Sequence, residues 1–291
     1  MKKEEKEKIE GDIPIVLIKL YHKLPIRYQK LVKRCYKFIS EAYRKFIANL
    51  KFTFFWPFIR NKKIKNINLF EQKIYSQNGE DGIIKIIFYK IVTTNKFCVE
   101  FGVGDGHGCN TRYLIEKEGW GYLHMDSGDY TKPYTHIKKE FITAENINSL
   151  FRKYNVPKEF DLLSIDIDYN TYWVWRAIKG YRPRVVVIEY NASISPTESK
   201  TVKYDPDRMW DGTNYFGASL LTLAKLGKSK GYTLIGCDSV GINAFFVRND
   251  LIKNNFEIKT IKEIYRPPKY GKKINGRYVG HPPSSKSMVS V

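Results

Sequence analysis

The sequence predicts an α/β fold, a doubly wound and mostly parallel sheet of seven strands with an antiparallel terminal hairpin and an N-terminal helical extension. Three observations predict it. Between Phe70 and Arg248, short apolar runs alternate with helical patterns, the signature of a parallel sheet covered on both faces. The last two runs are separated only by Asp238 to Asn243, too short for a crossover helix, so they pair antiparallel. The chain has 291 residues, 43% hydrophobic and 15% aromatic, which supports a buried core and excludes disordered and collagen-like chains.

In chain order the predicted strands are Phe97–Phe101, Gly121–Met125, Glu140–Thr143, Asp161–Ile165, Arg184–Glu189, Tyr232–Cys237 and Ala244–Arg248. Helical patterns fall at Gly79–Val92, Asn110–Glu118, Thr171–Lys179 and Gly217–Lys230, with Ser76 suited to cap the first. Three regions follow: a basic amphipathic helical extension (1–69), the α/β domain (70–250) and a basic C-terminal tail (251–291).

Charge separates these regions. The formal net charge is +20, but residues 1–70 carry 18 basic and 6 acidic side chains and residues 251–291 carry 9 and 2. The middle, with 23 and 22, is nearly neutral. A nucleic-acid partner is therefore disfavoured at the middle, where the chemistry lies, and no RNA-binding module is recognisable.

Apolar positions recur at helical spacing from Tyr28 to Leu50, with Arg and Lys on the remaining surface, followed by the aromatic cluster Phe52 to Phe58. Two readings stand: a stripe packed on the protein's own core or on a second subunit of a homo-oligomer, or a monotopic arm, residues 13–60, holding the protein on an anionic membrane face. Cys35, Cys98, Cys109 and Cys237 form no CxxC pair and no disulfide framework, so a reducing cytosol is the expected home. No signal peptide or apolar segment of about 20 residues is visible. The expected localisation is cytoplasmic, peripheral on the inner membrane face if the arm binds lipid.

The most informative segment is the glycine-rich turn. An apolar strand runs into Glu100, then come Gly102, Gly104, Gly106 and Gly108, then a helix. A dinucleotide fingerprint GxGxxG would need glycine at 107 or 109, but His107 and Cys109 stand there. An acidic residue two before GxGxG is instead the pattern of S-adenosylmethionine sites, where Glu100 would orient the amino-acid end of the cofactor. Asp126, ending the next strand 24 residues past Gly102, would accept hydrogen bonds from the ribose hydroxyls. Glu145 or Asn146 would receive the adenine amino group, and Glu80 would face the cofactor.

The chain resembles the FkbM-type and related class I S-adenosylmethionine-dependent methyltransferases. The segments that carry the resemblance are Tyr75 to Asp81 (YSQNGED), Val99 to Gly106 (VEFGVGDG), Leu163 to Asp168 (LSIDID) and Val185 to Asn191 (VVVIEYN). They cover about residues 70–250. The resemblance implies a Rossmann-like fold and methyl transfer, usually to oxygen and often on sugars or glycosylated products. One departure is Tyr169, where the family pattern has a small residue.

Asp166 and Asp168 end the fourth strand and Glu189 and Asn191 the fifth, each pair on one face by strand alternation. At adjacent strand ends, Asp166, Glu189 and Asn191 offer the oxygen ligands that Mg²⁺ prefers. Two metal-free readings compete. In one, Asp166 or Asp168 is a general base and Glu189 anchors substrate; in the other, backbone amides or ribose satisfy the carboxylates. His107, in the glycine turn, is a secondary base candidate. The long segment Asn191 to Ser219 suits an acceptor loop: Trp210 and Tyr215 would stack on a sugar or aromatic ring, while Asp205, Arg208 and Asp211 would read hydroxyls. The expected function is O-methylation of a sugar, glycan or other small hydroxyl-bearing acceptor. The alternatives are an RNA methyltransferase clamping with its basic ends, or a non-catalytic membrane- or partner-binding protein on the same fold.

Overall fold

A computed structural model describes residues 60–131 and 133–291; residues 1–59, which hold nearly all of the predicted arm, lie outside the described residues. The elements run α1 (Glu80–Ile91), β1 (Phe97–Phe101), α2 (Arg112–Glu118), β2 (Gly121–Asp126), β3 (Ile137–Lys139), α3 (Ile147–Lys153), β4 (Glu159–Ile165), α4 (Thr171–Ala177) and β5 (Arg182–Glu189). A short β6 (Lys200–Thr201) follows, then α5 (Leu220–Ser229), β7 (Tyr232–Cys237) and β8 (Asn243–Arg248). The C-terminal part holds α6 (Ile261–Ile264), β9 (Lys273–Ile274), β10 (Arg277–Tyr278) and β11 (Val289–Ser290).

Seven strands form one sheet in the order β3-β2-β1-β4-β5-β8-β7. β1 to β5 are parallel, while β8 runs antiparallel to both β5 and β7. The predicted hairpin forms, and its second strand slots between β5 and β7. This is a Rossmann-like, mostly parallel sheet with an antiparallel end. Val185 to Ile188 are fully buried, as a central β-branched strand with neighbours on both sides requires. Val99, Leu163, Val186 and Phe246, from four different strands, meet in one core cluster with Trp175 of α4 and Leu223 of α5.

The helices start where side chains satisfy their free amides. Ser219 Oγ accepts from Thr222 N at 3.2 Å and so begins α5 at Leu220, three residues after Gly217. Ser76 does not cap α1 directly, since Gly79 holds that position. Instead Ser76 Oγ accepts from Asp81 N at 3.1 Å and Asp81 Oδ2 accepts from Ser76 N at 2.8 Å, a reciprocal lock on the loop before the helix.

One expectation needs correction. The third strand lies at Ile137–Lys139, upstream of Glu140–Thr143. Its register is set by β2, which ends at Asp126 opposite Lys139, so Glu140 to Ile142 run past the sheet into the crevice. Residues 251–291 also pack on the domain. Ile264 is buried in the core cluster, Tyr190 donates to Arg266 O at 2.6 Å, and β11 pairs antiparallel with β6. Among the described residues no helix is long and apolar enough to cross a membrane.

Candidate functional site

The strand order reverses between β1 and β4, and in open α/β sheets such a switch point opens a crevice at the carboxyl ends of the strands. Here the crevice is a cavity of about 360 Å³, whose lining includes Gly102, Gly104, Asp126, Asp166, Asp168 and Trp210. That volume lies within the usual range for small-molecule sites, roughly 300–1,000 Å³.

The glycine turn forms the floor. Gly102 has φ +78°, and a Cβ there would stand 1.5 Å from the carbonyl oxygen of Asp166. Glycine therefore lets β1 and β4 close at this end, where Asp166 N donates to Phe101 O at 3.1 Å. Gly104, φ +59°, has open space where a Cβ would be, and its N–H donates to Asp126 Oδ2 at 2.9 Å. Asp126 Oδ1 accepts from Gly128 N and from the Tyr130 hydroxyl, both at 2.8 Å. A carboxylate has about four acceptor positions, so one remains for a ligand hydroxyl.

Against this floor stand three carboxylates. One oxygen from each of Asp166, Asp168 and Glu189 lies within 4.8 Å of the others. Glu189 Oε2 is buried without a hydrogen-bond partner. Burial, then Asp168, Glu100 and Glu80, pushes the Asp166 carboxyl up to about 8. Burial and then Asp166 and Asp168 raise Glu189 well above the carboxylate range; burial and then Asp126 raise Asp168. Asp168 also adopts a left-handed backbone, φ +55°, which aspartate tolerates better than most residues.

Asn191 is not in this group. Its amide nitrogen donates to Asn214 O (2.8 Å) and Phe216 O (3.0 Å), and its Oδ1 accepts from Ser193 N. The expected third metal oxygen is thus occupied in closing the 191–219 loop, and Asp168 stands in its place.

Other expected residues also have different positions. Glu100 is buried beneath the turn: Oε1 accepts from Asn110 N at 2.9 Å, and Oε2 from Thr111 N at 2.9 Å and Thr111 Oγ at 2.6 Å. It organises the start of α2 and does not line the cavity. Glu80 is buried too, accepting from Asn78 N at 2.8 Å and Asn243 Nδ2 at 3.0 Å. His107 projects outward beside Asp105, 3.2 Å away. Gly106, φ +80°, packs against Thr135, outside the lining. Glu145 is bonded to the Tyr204 hydroxyl on the surface.

Within the 191–219 loop the cavity receives Arg208, Met209 and Trp210. Asp211 instead faces Arg208 (3.2 Å) and Lys286 (2.6 Å). Tyr215 is buried with Tyr169 and Val202 in a small cluster, so neither tyrosine is available for stacking. The bulk of Tyr169 is directed away from the cavity, its hydroxyl donating to Lys203 O at 3.0 Å. Tyr130, Phe141, Ile142 and Asn170 line the cavity and carried no sequence signal; Phe141 and Ile142 were hidden inside the strand expected there.

A second group, Glu100, Cys109 and His124, is buried and close together. The Thr111 hydroxyl donates to Glu100 and therefore accepts from His124 Nε2 at 2.7 Å, leaving Nδ1 to accept from Thr135 Oγ at 2.8 Å. Burial lowers the His124 pKa to about 4, so the ring is neutral and structural.

No protein-family model matches the sequence, and no curated protein matches it. Among solved structures, the chain is similar to the citrinin polyketide synthase CMeT domain at 12% identity and a TM-score of 0.29, over 61% of this chain and 55% of that one. The chain thus spans about half the length of that structure.

Proposed function

We propose that the protein is an S-adenosylmethionine-dependent methyltransferase that methylates a hydroxyl of a sugar, glycan or other small acceptor, as the FkbM-type enzymes its motifs resemble do. The observation that carries this reading is the pairing of Asp126 with Gly104 on the cavity floor. A ribose-reading carboxylate is thereby fixed beside a turn whose glycine leaves room for a ligand. The acidic lining, with Asp126 on the cavity floor, favours a cationic cofactor. When bound, that cofactor supplies an electrophilic sulfonium methyl.

The chain's own residues then have distinct tasks. Asp126 orients the ribose through its remaining acceptor position. Arg208, Met209 and Trp210 would form the acceptor side, and Asp166 would take the proton that the acceptor hydroxyl gives up. A carboxyl pushed up to about 8 suits a base working near neutral pH.

Asp166, Asp168 and Glu189 also fit a divalent cation, because three crowded carboxylates include a buried oxygen, Glu189 Oε2, that lacks a partner. A bound Mg²⁺ would lower the pKa of the acceptor hydroxyl. Isothermal titration with S-adenosylmethionine and S-adenosylhomocysteine tests the central reading. Saturable binding supports it, and folded protein that binds neither overturns it.

A further inference from the structure

Residues 271–279 form a two-stranded hairpin that stands clear of the domain. Among the described residues β9 and β10 pair only with each other, through Ile274↔Arg277 and Lys273↔Tyr278. A bridge between Gly271 and Gly280 closes the base, and every residue from Gly271 to Val279 is exposed. A ribbon of two strands buries little on its own, and a soluble domain usually hides one face of it. Here both faces are open: Lys272, Ile274, Arg277 and Val279 share one, and Lys273 and Tyr278 the other.

The composition is one-sided. Lys269, Lys272, Lys273 and Arg277 lie on or next to the hairpin, and no acidic residue occurs after Glu263. Among the described residues none of these four side chains forms an ion pair; Lys273 instead lies over the Tyr278 ring, 4.5 Å from its centroid. The apolar members are exposed as well, Ile274 at 51%, Tyr278 at 41% and Val279 at 37%.

We propose that this hairpin docks the protein on an anionic lipid surface. Basic side chains are drawn to acidic headgroups, tyrosine settles at the headgroup boundary, and aliphatic side chains gain by entering the acyl edge. The apolar pair Ile274 and Val279 decides against a nucleic acid, since a phosphate backbone rewards the cations but offers aliphatic side chains nothing. The position suits the role. Tyr270, at the hairpin base, packs 5.2 Å from His281, which packs 4.5 Å from Trp210 of the cavity wall. Docking would therefore bring the cavity mouth close to the bilayer surface. The inference is independent of the proposed activity, because binding to vesicles is read without methyl transfer.

The test uses the full chain and vesicles of phosphatidylcholine with or without phosphatidylglycerol, at physiological salt. Each basic residue near an anionic surface strengthens binding about fivefold. K272E/K273E/R277E is therefore expected to bind the anionic vesicles on the order of a hundredfold more weakly, with an unchanged melting temperature. I274S/Y278S is expected to weaken binding at unchanged charge. An environment-sensitive fluorophore on N275C should shift to the blue with anionic vesicles and not with neutral ones. Failure of the wild-type chain to bind anionic vesicles overturns the proposal, as does equal binding by both variants or a probe that stays in water. So does a charge-reversal variant that loses affinity for an RNA oligonucleotide while keeping that for vesicles.

Discussion

The carboxylate of Asp126, at the end of β2, accepts a hydrogen bond from the backbone N–H of Gly104 at 2.9 Å, tying the end of β2 to the glycine turn after β1. Loss of a hydrogen bond to a charged group costs about 1.5–3 kcal/mol. D126A should therefore weaken S-adenosylmethionine binding by roughly ten- to a hundredfold by calorimetry. Unchanged affinity would remove Asp126 from the cofactor site.

Gly102 is a structural requirement. Its positive φ and the 1.5 Å approach of the Asp166 carbonyl to a virtual Cβ mean that alanine must push β1 from β4. G102A should destabilise the protein by roughly 3 kcal/mol in urea denaturation. A loss within about 0.5 kcal/mol, typical of an ordinary surface change, would show that the turn relaxes freely.

The three carboxylates should trade stability for function. Without a cation, Asp166 titrates in the folded protein near 8, above its unfolded value, so folding takes up a proton between about pH 4 and 8. Stability should fall as pH rises through that window, and less steeply in D166N. E189Q should likewise melt higher at pH 8 while losing methyl transfer. Mg²⁺ should raise the melting temperature of the wild type, by about 2.7 kcal/mol of stability at a hundredfold excess over Kd, and leave that of D166N nearly unchanged. Equal Mg²⁺ shifts in both proteins would separate the ion from this cluster.

His124 should make the protein acid-sensitive. Its pKa is lowered to about 4 by burial, so the unfolded chain binds the extra proton first as pH falls below about 6.5. The stability it contributes is fully present above pH 6.5 and is lost as pH falls towards 4, in total about 3 kcal/mol. H124Q should flatten the stability difference between pH 5 and pH 7, measured by chemical denaturation at both. A slope identical to that of the wild type would contradict the buried neutral ring.

What could be read in advance was local. The spacing of Gly102, Gly104 and Gly106, with Asp126 further along, follows from one turn and one strand, each set by nearby residues, and the strands with unbroken apolar runs were found to within one or two residues. Alternation predicts Glu189 and Asn191 on one face, but alternation holds only while a strand continues. β5 stops at Glu189, after which Asn191 N donates to Ala218 O and its side chain closes the loop. Glu100 departs from its expected place for a similar reason: a carboxylate near a strand end serves a ligand or nearby amides equally well, and here Asn110 and Thr111 take it.

Sequence alone determined the alternation of strands and helices, the antiparallel end of the sheet and the glycine turn, because each depends on periodicity or on spacing along the chain. Tertiary structure decided which acids meet, how β3 shifts its neighbours into the crevice and how residues 251–291 fold back beside Trp210. Those outcomes depend on contacts between segments distant in the chain, with Asp168 joining Asp166 and Glu189 because β4 and β5 end side by side.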